Sequence, residues 1–208
     1  MQKFVGTILV MVVCLVSLST SVQAQTTYEV PGGGIAIIGF NFDDPDQFAF
    51  VCLDTIPAGT EIRFTDNGWQ SSGSFRLGEG ILSWYTPGGC ELGQIMTIIP
   101  SQHINNTTGD FFFSDSGDQI LVYQYISTIT KHIFALNSEG TSWQTSANSA
   151  NTSANPFGTD TTRAIALDEI DNAIYTGPKS FNTTADALAA IVNKANWSGS
   201  NDVRQAMP

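Results

Sequence analysis

Gly34 to Trp69 reads GIAIIGFNFDDPDQFAFVCLDTIPAGTEIRFTDNGW. Three runs rich in Ile, Phe and Val (35–40, 47–53 and 61–65) are separated by the acidic turn Asp43-Asp44-Pro45-Asp46 and by Pro57-Ala58-Gly59. Short apolar runs bounded by Asp, Pro and Gly predict antiparallel strands. In the middle run, Phe48, Phe50 and Cys52 share one face while Ala49, Val51 and Leu53 share the other, because successive side chains of a strand alternate. Both faces are apolar, so this strand is expected in the interior of a sheet, covered on each side.

Working outward, further strands are expected at 80–85, 95–99, 119–125, 131–136 and 164–167. Many short strands with turn residues between them indicate a mainly β chain folded as an antiparallel β-sandwich. One short C-terminal helix is expected. Thr183 or Thr184 caps its start, Asp186 lies in its first turn, Leu188, Ile191 and Val192 recur at helical spacing, and Lys194 closes its last turn. It is expected to pack on an edge or end of the sheet. The stretch 137–162, dominated by Ser, Thr, Asn, Ala and Gly with Trp143 as its anchor, is long for a loop and reads as a surface or functional one. Residues 34–208 therefore read as one β-rich domain, led into by a flexible arm at 25–33 that ends in Pro31-Gly32-Gly33.

Residues 1–24 have the order of a signal peptide: Lys3, an apolar run from Phe4 to Leu18, then small and polar residues ending Val22-Gln23-Ala24. The apolar run is shorter than the roughly 20 residues a membrane span needs. Cleavage before Gln25 would leave a secreted, extracellular protein without membrane insertion. All 19 acidic residues lie beyond this segment, in a chain of formal charge −11 with only 8 Lys and Arg. Such a surface repels nucleic acid and favours cations or cationic partners.

Of the three cysteines, Cys14 lies in the leader, leaving Cys52 and Cys90. In an oxidising compartment a Cys52–Cys90 disulfide is the simplest outcome; the alternative is a buried strand cysteine and a free loop thiol. The turn holding Asp43, Asp44 and Asp46 offers several carboxylate oxygens within a few residues, the hard ligands calcium prefers. Asp54, Asp66 with Asn67, Asp115 and Asp118 could complete a shell if their loops meet. The competing reading is that these residues shape turns and keep edges soluble. Five Asn-x-Ser/Thr sequons, at Asn105, Asn106, Asn151, Asn182 and Asn196, are candidate glycosylation sites if the host uses them.

Trp69, Trp84, Trp143 and Trp197, with Tyr85 and Tyr123, could form a stacking platform for sugar rings, although core filling and loop anchoring are the preferred roles. Catalytic signatures are weak. His103 and His132 stand apart from any Gly-x-Ser-x-Gly or His-Glu-x-x-His pattern. Asp66 and Glu79 could serve a glycoside hydrolase only if folding sets them across a cleft. The expectation is a non-enzymatic protein.

Several stretches carry a resemblance: GIAIIGFNFDDPDQFAFV (34–51), IPAGTEIRFTDNGW (56–69), GEGILSW (78–84), SGDQILVYQ (116–124), ALDEIDNAIYTGP (166–178) and ANWSGS (195–200). Together they resemble a β-rich domain that recurs in secreted and surface bacterial proteins, similar in architecture to the immunoglobulin-like lamin-tail module. The resemblance implies a β-sandwich and brings no catalytic residues with it. Joined to the acidic charge, it leads to an expected role in binding or assembly in an extracellular matrix, calcium-associated or mineral-coating. A glycan-binding or adhesion module is the alternative, and a secreted hydrolase the third.

Overall fold

In the computed structural model, which describes residues 27–103 and 106–208, β1 (Ile35–Asn41) and β2 (Gln47–Cys52) form the centre of a five-stranded sheet. β5 (Ile95–Ile98) flanks β2, and β10 (Asn172–Tyr175) followed by β11 (Trp197–Ser200) flanks β1. The facing sheet runs β6 (Thr107–Thr108), β4 (Ile81–Tyr85), β3 (Glu61–Thr65), β7 (Gln119–Ile126), β8 (Ile129–Asn137), β9 (Ala164–Ala166). All pairings are antiparallel except β8 with β9. The result is the expected β-sandwich with one parallel pair at its edge.

The alternation in β2 does what the sequence requires. Phe48 and Phe50 face inward, with ring centroids 4.9 and 5.2 Å from Phe64 of β3, and Phe50 also meets Trp84 of β4 edge-on at 5.2 Å. Phe40, Phe42, Phe111 and Phe113 extend this column along the interface between the sheets. Aromatic rings at these spacings gain from edge and offset geometry as well as from burial. Register slips in β1 at Ile37/Gly39 and in the β7–β8 pair at Val122/Tyr123 place consecutive apolar residues, such as Ile133 and Phe134, in the interior. The Cys52–Cys90 disulfide joins the end of β2 to the connection after β4, tying the sheets together.

The helix α1 (Thr184–Ile191) begins with Thr183, whose hydroxyl accepts from the Asp186 N–H. It buries Ala187 and Ile191 and is fastened to the sheet end by Thr184 Oγ1 donating to the Leu53 carbonyl. It stops earlier than the apolar spacing suggests. Asn193 turns its side chain to cap the following 3-10 turn, Lys194–Asn196, so Val192 and Lys194 lie beyond the α-helix.

Three local features are set by tertiary contacts. The Asn67-Gly68 pair, a dipeptide that often makes a two-residue hairpin turn, makes none here: Asn67 Nδ2 donates to Thr65 Oγ1 and to the Gly80 carbonyl, and the chain reverses later, at the Trp69–Phe75 bridge. The lead-in from Thr27 onward is held down, with Gln124 accepting from Val30 N and donating to Tyr28 O, and Tyr28 Oη donating to Asp54 at 2.6 Å. The 137–162 stretch folds over the outer face of the six-stranded sheet. There Trp143 and Phe157 join Trp69 and Phe75 over Leu121, Ala135 and Ala164. The signal-peptide segment lies outside the described residues.

Candidate functional site

Asp43, Asp44, Asp46, Asp66, Glu79, Asp115, Asp118, Glu139 and Asp171 gather at one end of the sandwich, where the connections leaving β1, β3 and β8 meet those entering β4, β7 and β10. The segment Phe111–Phe113 closes this end. Because successive N–H groups of an extended chain point to opposite sides, Phe112 N donates to Asp66 Oδ2 at 3.1 Å and Phe113 N to Asp46 Oδ2 at 2.9 Å. One carboxylate belongs to each sheet, so the segment laces the two layers. Phe111 and Phe113 are buried, whereas Phe112 is exposed.

Around this lacing lie two groups of carboxylates. In the first, Asp66 is fully buried; its Oδ1 accepts from Gly80 N at 2.8 Å. Burial lifts its pKa to about 8 against the pull of the amide donors, with the charge of Glu79 adding to the rise. Glu79 itself is raised to about 7 by burial, Arg76 opposing. Asp118, buried and accepting from Ser114 N and Gln119 N, is pushed well above the carboxylate range by burial, then by Asp66 and Glu79. Gln119 donates to the Asp66 and Ala150 carbonyls. Burial outside a hydrogen-bonding partnership penalises the charged form of a carboxyl group.

In the second group Asp171, only 4% exposed, is raised to about 6 by burial and then by Glu169, Asp43 and Asp115. Glu139 is raised by burial and by Glu169. Asn172 Nδ2 donates to Asp43 Oδ2 at 2.7 Å. The Arg204 guanidinium reaches the carbonyls of Asp43 and Pro45, bracing the acidic turn through its backbone. Asp46, the third acid of that turn with Asp44, is raised to about 6, mainly by burial.

Among the described residues, five buried side-chain oxygens lack a hydrogen-bond donor: Glu79 Oε2, Gln119 Oε1, Glu139 Oε2, Asp171 Oδ1 and Asn172 Oδ1. All five lie at this end of the molecule. Buried polar atoms are nearly always satisfied, so such a concentration demands a reason. No group of three or more His, Cys, Asp or Glu side chains among the described residues is arranged as a metal centre. A cation here would take amide, carbonyl and water oxygens besides one or two carboxylates.

The structure places Asp43, Asp44, Asp46, Asp66, Asp115 and Asp118 at one end, without drawing three of these carboxylates into one shell. Asp54 is at the opposite end of β2, engaged with Tyr28, and cannot join them. Glu79, Gln119, Glu139, Asp171 and Asn172 were not singled out as ligands. Their signal is tertiary, and only the Asp171-Asn172 pair at the start of β10 marks it locally.

The tryptophans anchor and do not display. Trp84 is buried, Trp197 donates Nε1–H to the Ile191 carbonyl, and Trp69 and Trp143 pack in the outer cluster. His132 sits edge-on to Trp69 at 4.4 Å, with Phe75 and Phe157 close by, and neither ring nitrogen has a partner. Burial, with Arg163 adding, lowers its pKa to about 4. Both Asp66 carboxylate oxygens are engaged with backbone amides inside the fold, so Asp66 and Glu79 do not face each other across an open cleft. Of the sequons, Asn106 and Asn182 are exposed, Asn151 Nδ2 donates to Ser114, and Asn196 Nδ2 donates to the Ala190 carbonyl. Asn105 lies outside the described residues.

Comparisons with protein-family models, with curated proteins and with solved structures found no match. Among the described residues, no helix is long and apolar enough to cross a membrane.

Proposed function

We propose that this chain is a secreted, acidic, non-enzymatic protein that acts by binding or assembly in an extracellular matrix or at a surface, taking up a divalent cation at its carboxylate-rich end. The observation that carries this is the convergence there of five donor-less buried oxygens with carboxylates whose charge burial makes costly. Calcium matches the ligand chemistry, since it accepts mixed carboxylate, carbonyl, amide and water oxygens in flexible geometry, with millimolar affinity typical of extracellular modules. The leader and the disulfide support export, and a cation held between protein and mineral or glycan gives the acidic end a partner surface.

Thermal unfolding at pH 7.5 in EDTA and then in millimolar calcium tests it. At tenfold excess over the dissociation constant, calcium stabilises by about 1.4 kcal/mol, a rise in Tm of roughly 3–5 °C. Glu139→Gln/Asp171→Asn abolishes the rise. An unchanged Tm of the parent in calcium removes the cation from the reading.

A glycan surface as partner is the second reading, favoured by Tyr85 and Tyr125, each 50% exposed on strands that flank β3. The Arg63–Glu61 ion pair lies between them, with Arg63 over the Tyr125 ring. Saturation-transfer NMR with acidic and neutral oligosaccharides decides it. Transfer lost in Tyr85→Ala/Tyr125→Ala supports this face, and transfer unaffected by that variant rules it out.

A further inference from the structure

The outer face of the five-stranded sheet holds a concavity that the cation reading leaves unused. Val51 of β2, on the side opposite the core face, forms part of its floor, joined by Leu53 just beyond the strand, Ile38 from the β1 bulge and Ile174 from β10. The helix α1 and the segment 178–184 wall one side. The cavity measures about 570 Å³ and is lined mainly by apolar side chains, within the size range of small-molecule sites. Leu92 and Ile95, on its open side, are 66% and 42% exposed.

Two polar groups of the lining are already satisfied within the protein. Tyr175 Oη donates to the Pro178 carbonyl at 2.9 Å and Thr184 Oγ1 to the Leu53 carbonyl at 3.0 Å. The charged side chain of the lining is Lys179; Pro208, the last residue of the sequence, also lines the cavity. Elsewhere Arg63, Lys131 and Arg163 pair with carboxylates, while Lys194 and Arg204 donate to carbonyls. Lys179 does neither among the described residues, and neither does Arg76, whose charge acts on Glu79. In a chain with 19 acidic and 8 basic residues, an uncommitted ammonium at the mouth of an apolar cavity is the complement of an anionic head on an apolar tail.

We propose that this cavity binds a single-chain aliphatic carboxylate, its tail against Val51 and Ile174 and its carboxylate at Lys179. This assignment is independent of the cation site, because it uses the outer face of the five-stranded sheet and no acidic side chain.

Titration calorimetry with dodecanoate below its micelle concentration, in EDTA, tests it. The protein is prepared without N-glycans, since Asn182 also lines the cavity. Saturable one-site binding is expected, about 5- to 10-fold tighter than for dodecanol and tighter again than for dodecylammonium. Lys179→Gln weakens dodecanoate about 5- to 10-fold and leaves dodecanol unchanged. Val51→Gln weakens both about tenfold or more; should that variant fail to fold, Leu92→Gln on the exposed rim reads the same contact. Absence of saturable binding, equal affinity for the three head groups, or a Lys179→Gln variant that binds dodecanoate normally overturns the proposal. So does sedimentation with anionic phosphatidylglycerol vesicles in the absence of dodecanoate binding, which would assign the lysine and its apolar surroundings to a bilayer surface.

Discussion

Replacing the disulfide in a Cys52→Ala/Cys90→Ala variant lowers the unfolding free energy by roughly 4 kcal/mol, because the bridge closes a loop with a sequence separation of 38. Both sulfurs belong to residues with no solvent exposure, so the truncated pair also leaves unfilled volume in the core. At 2–4 °C per kcal/mol for a chain of this size, Tm falls by about 8–16 °C. The location sharpens the expectation. Cys90 forms a bridge with Ile56 through paired backbone bonds of 2.8 Å in both directions, and Ile56 is itself buried. Loss of the cross-link therefore loosens the contact between the two sheets as well as the unfolded chain's constraint. Calorimetry of protein prepared without residues 1–24 checks the shift, and thiol titration of the denatured, unreduced protein checks its premise. A fall in Tm below about 2 °C, or two titratable thiols, contradicts it.

The strands with strong local pattern were legible. Glu61–Thr65 and the β2 run follow their apolar spacing to within a residue, and the interior position of β2 follows from having two apolar faces. What escaped was made by partners distant in sequence. Asn172–Tyr175 and Trp197–Ser200 are short and half polar; the first becomes a strand because the free edge of β1 offers it unpaired backbone groups, and the second because β10 then offers its own outer edge. β9 pairs in parallel with β8, which needs the whole intervening 138–163 connection to return to that edge. The acidic turn was legible as acidic, and its setting was not. Asp46 is tied by an amide 67 residues away and Asn172 reaches Asp43 across 129 residues, distances over which no spacing rule carries information. The Cys pair was the exception among long-range features, since elimination and compartment leave only one partner for each.

Lowering the pH from 8 to 5 raises the stability of this protein, contrary to the usual acid destabilisation of a carboxylate-rich chain. Asp66, Glu79, Asp46 and Asp171 hold their protons to about pH 8, 7, 6 and 6 in the folded state, and Asp118 well above the ordinary carboxylate range. The unfolded chain releases the same protons near pH 4. Between these limits the folded state binds more protons than the unfolded state, so stability falls as pH rises through about 4 to 8 and levels off above. Asp66 alone supplies at most about 4 kcal/mol between pH 8 and 5, at ~1.4 kcal/mol per pH unit. His132 opposes it: held neutral down to about pH 4, it costs about 2 kcal/mol at pH 5, where the unfolded imidazole has gained its proton. The net result is a Tm about 5–10 °C higher at pH 5 than at pH 8, measured by scanning calorimetry in EDTA. Asp66→Asn flattens the profile above pH 6, because the amide cannot ionise, and His132→Phe steepens it by removing the opposing proton. If calcium binds at the acidic end as proposed, it neutralises the same charges, so millimolar calcium is expected to lift Tm at pH 8 far more than at pH 5. A profile that rises toward pH 8 in EDTA would show that the buried carboxylates carry their charge at no cost, and with it the reason for a cation at this end would be lost.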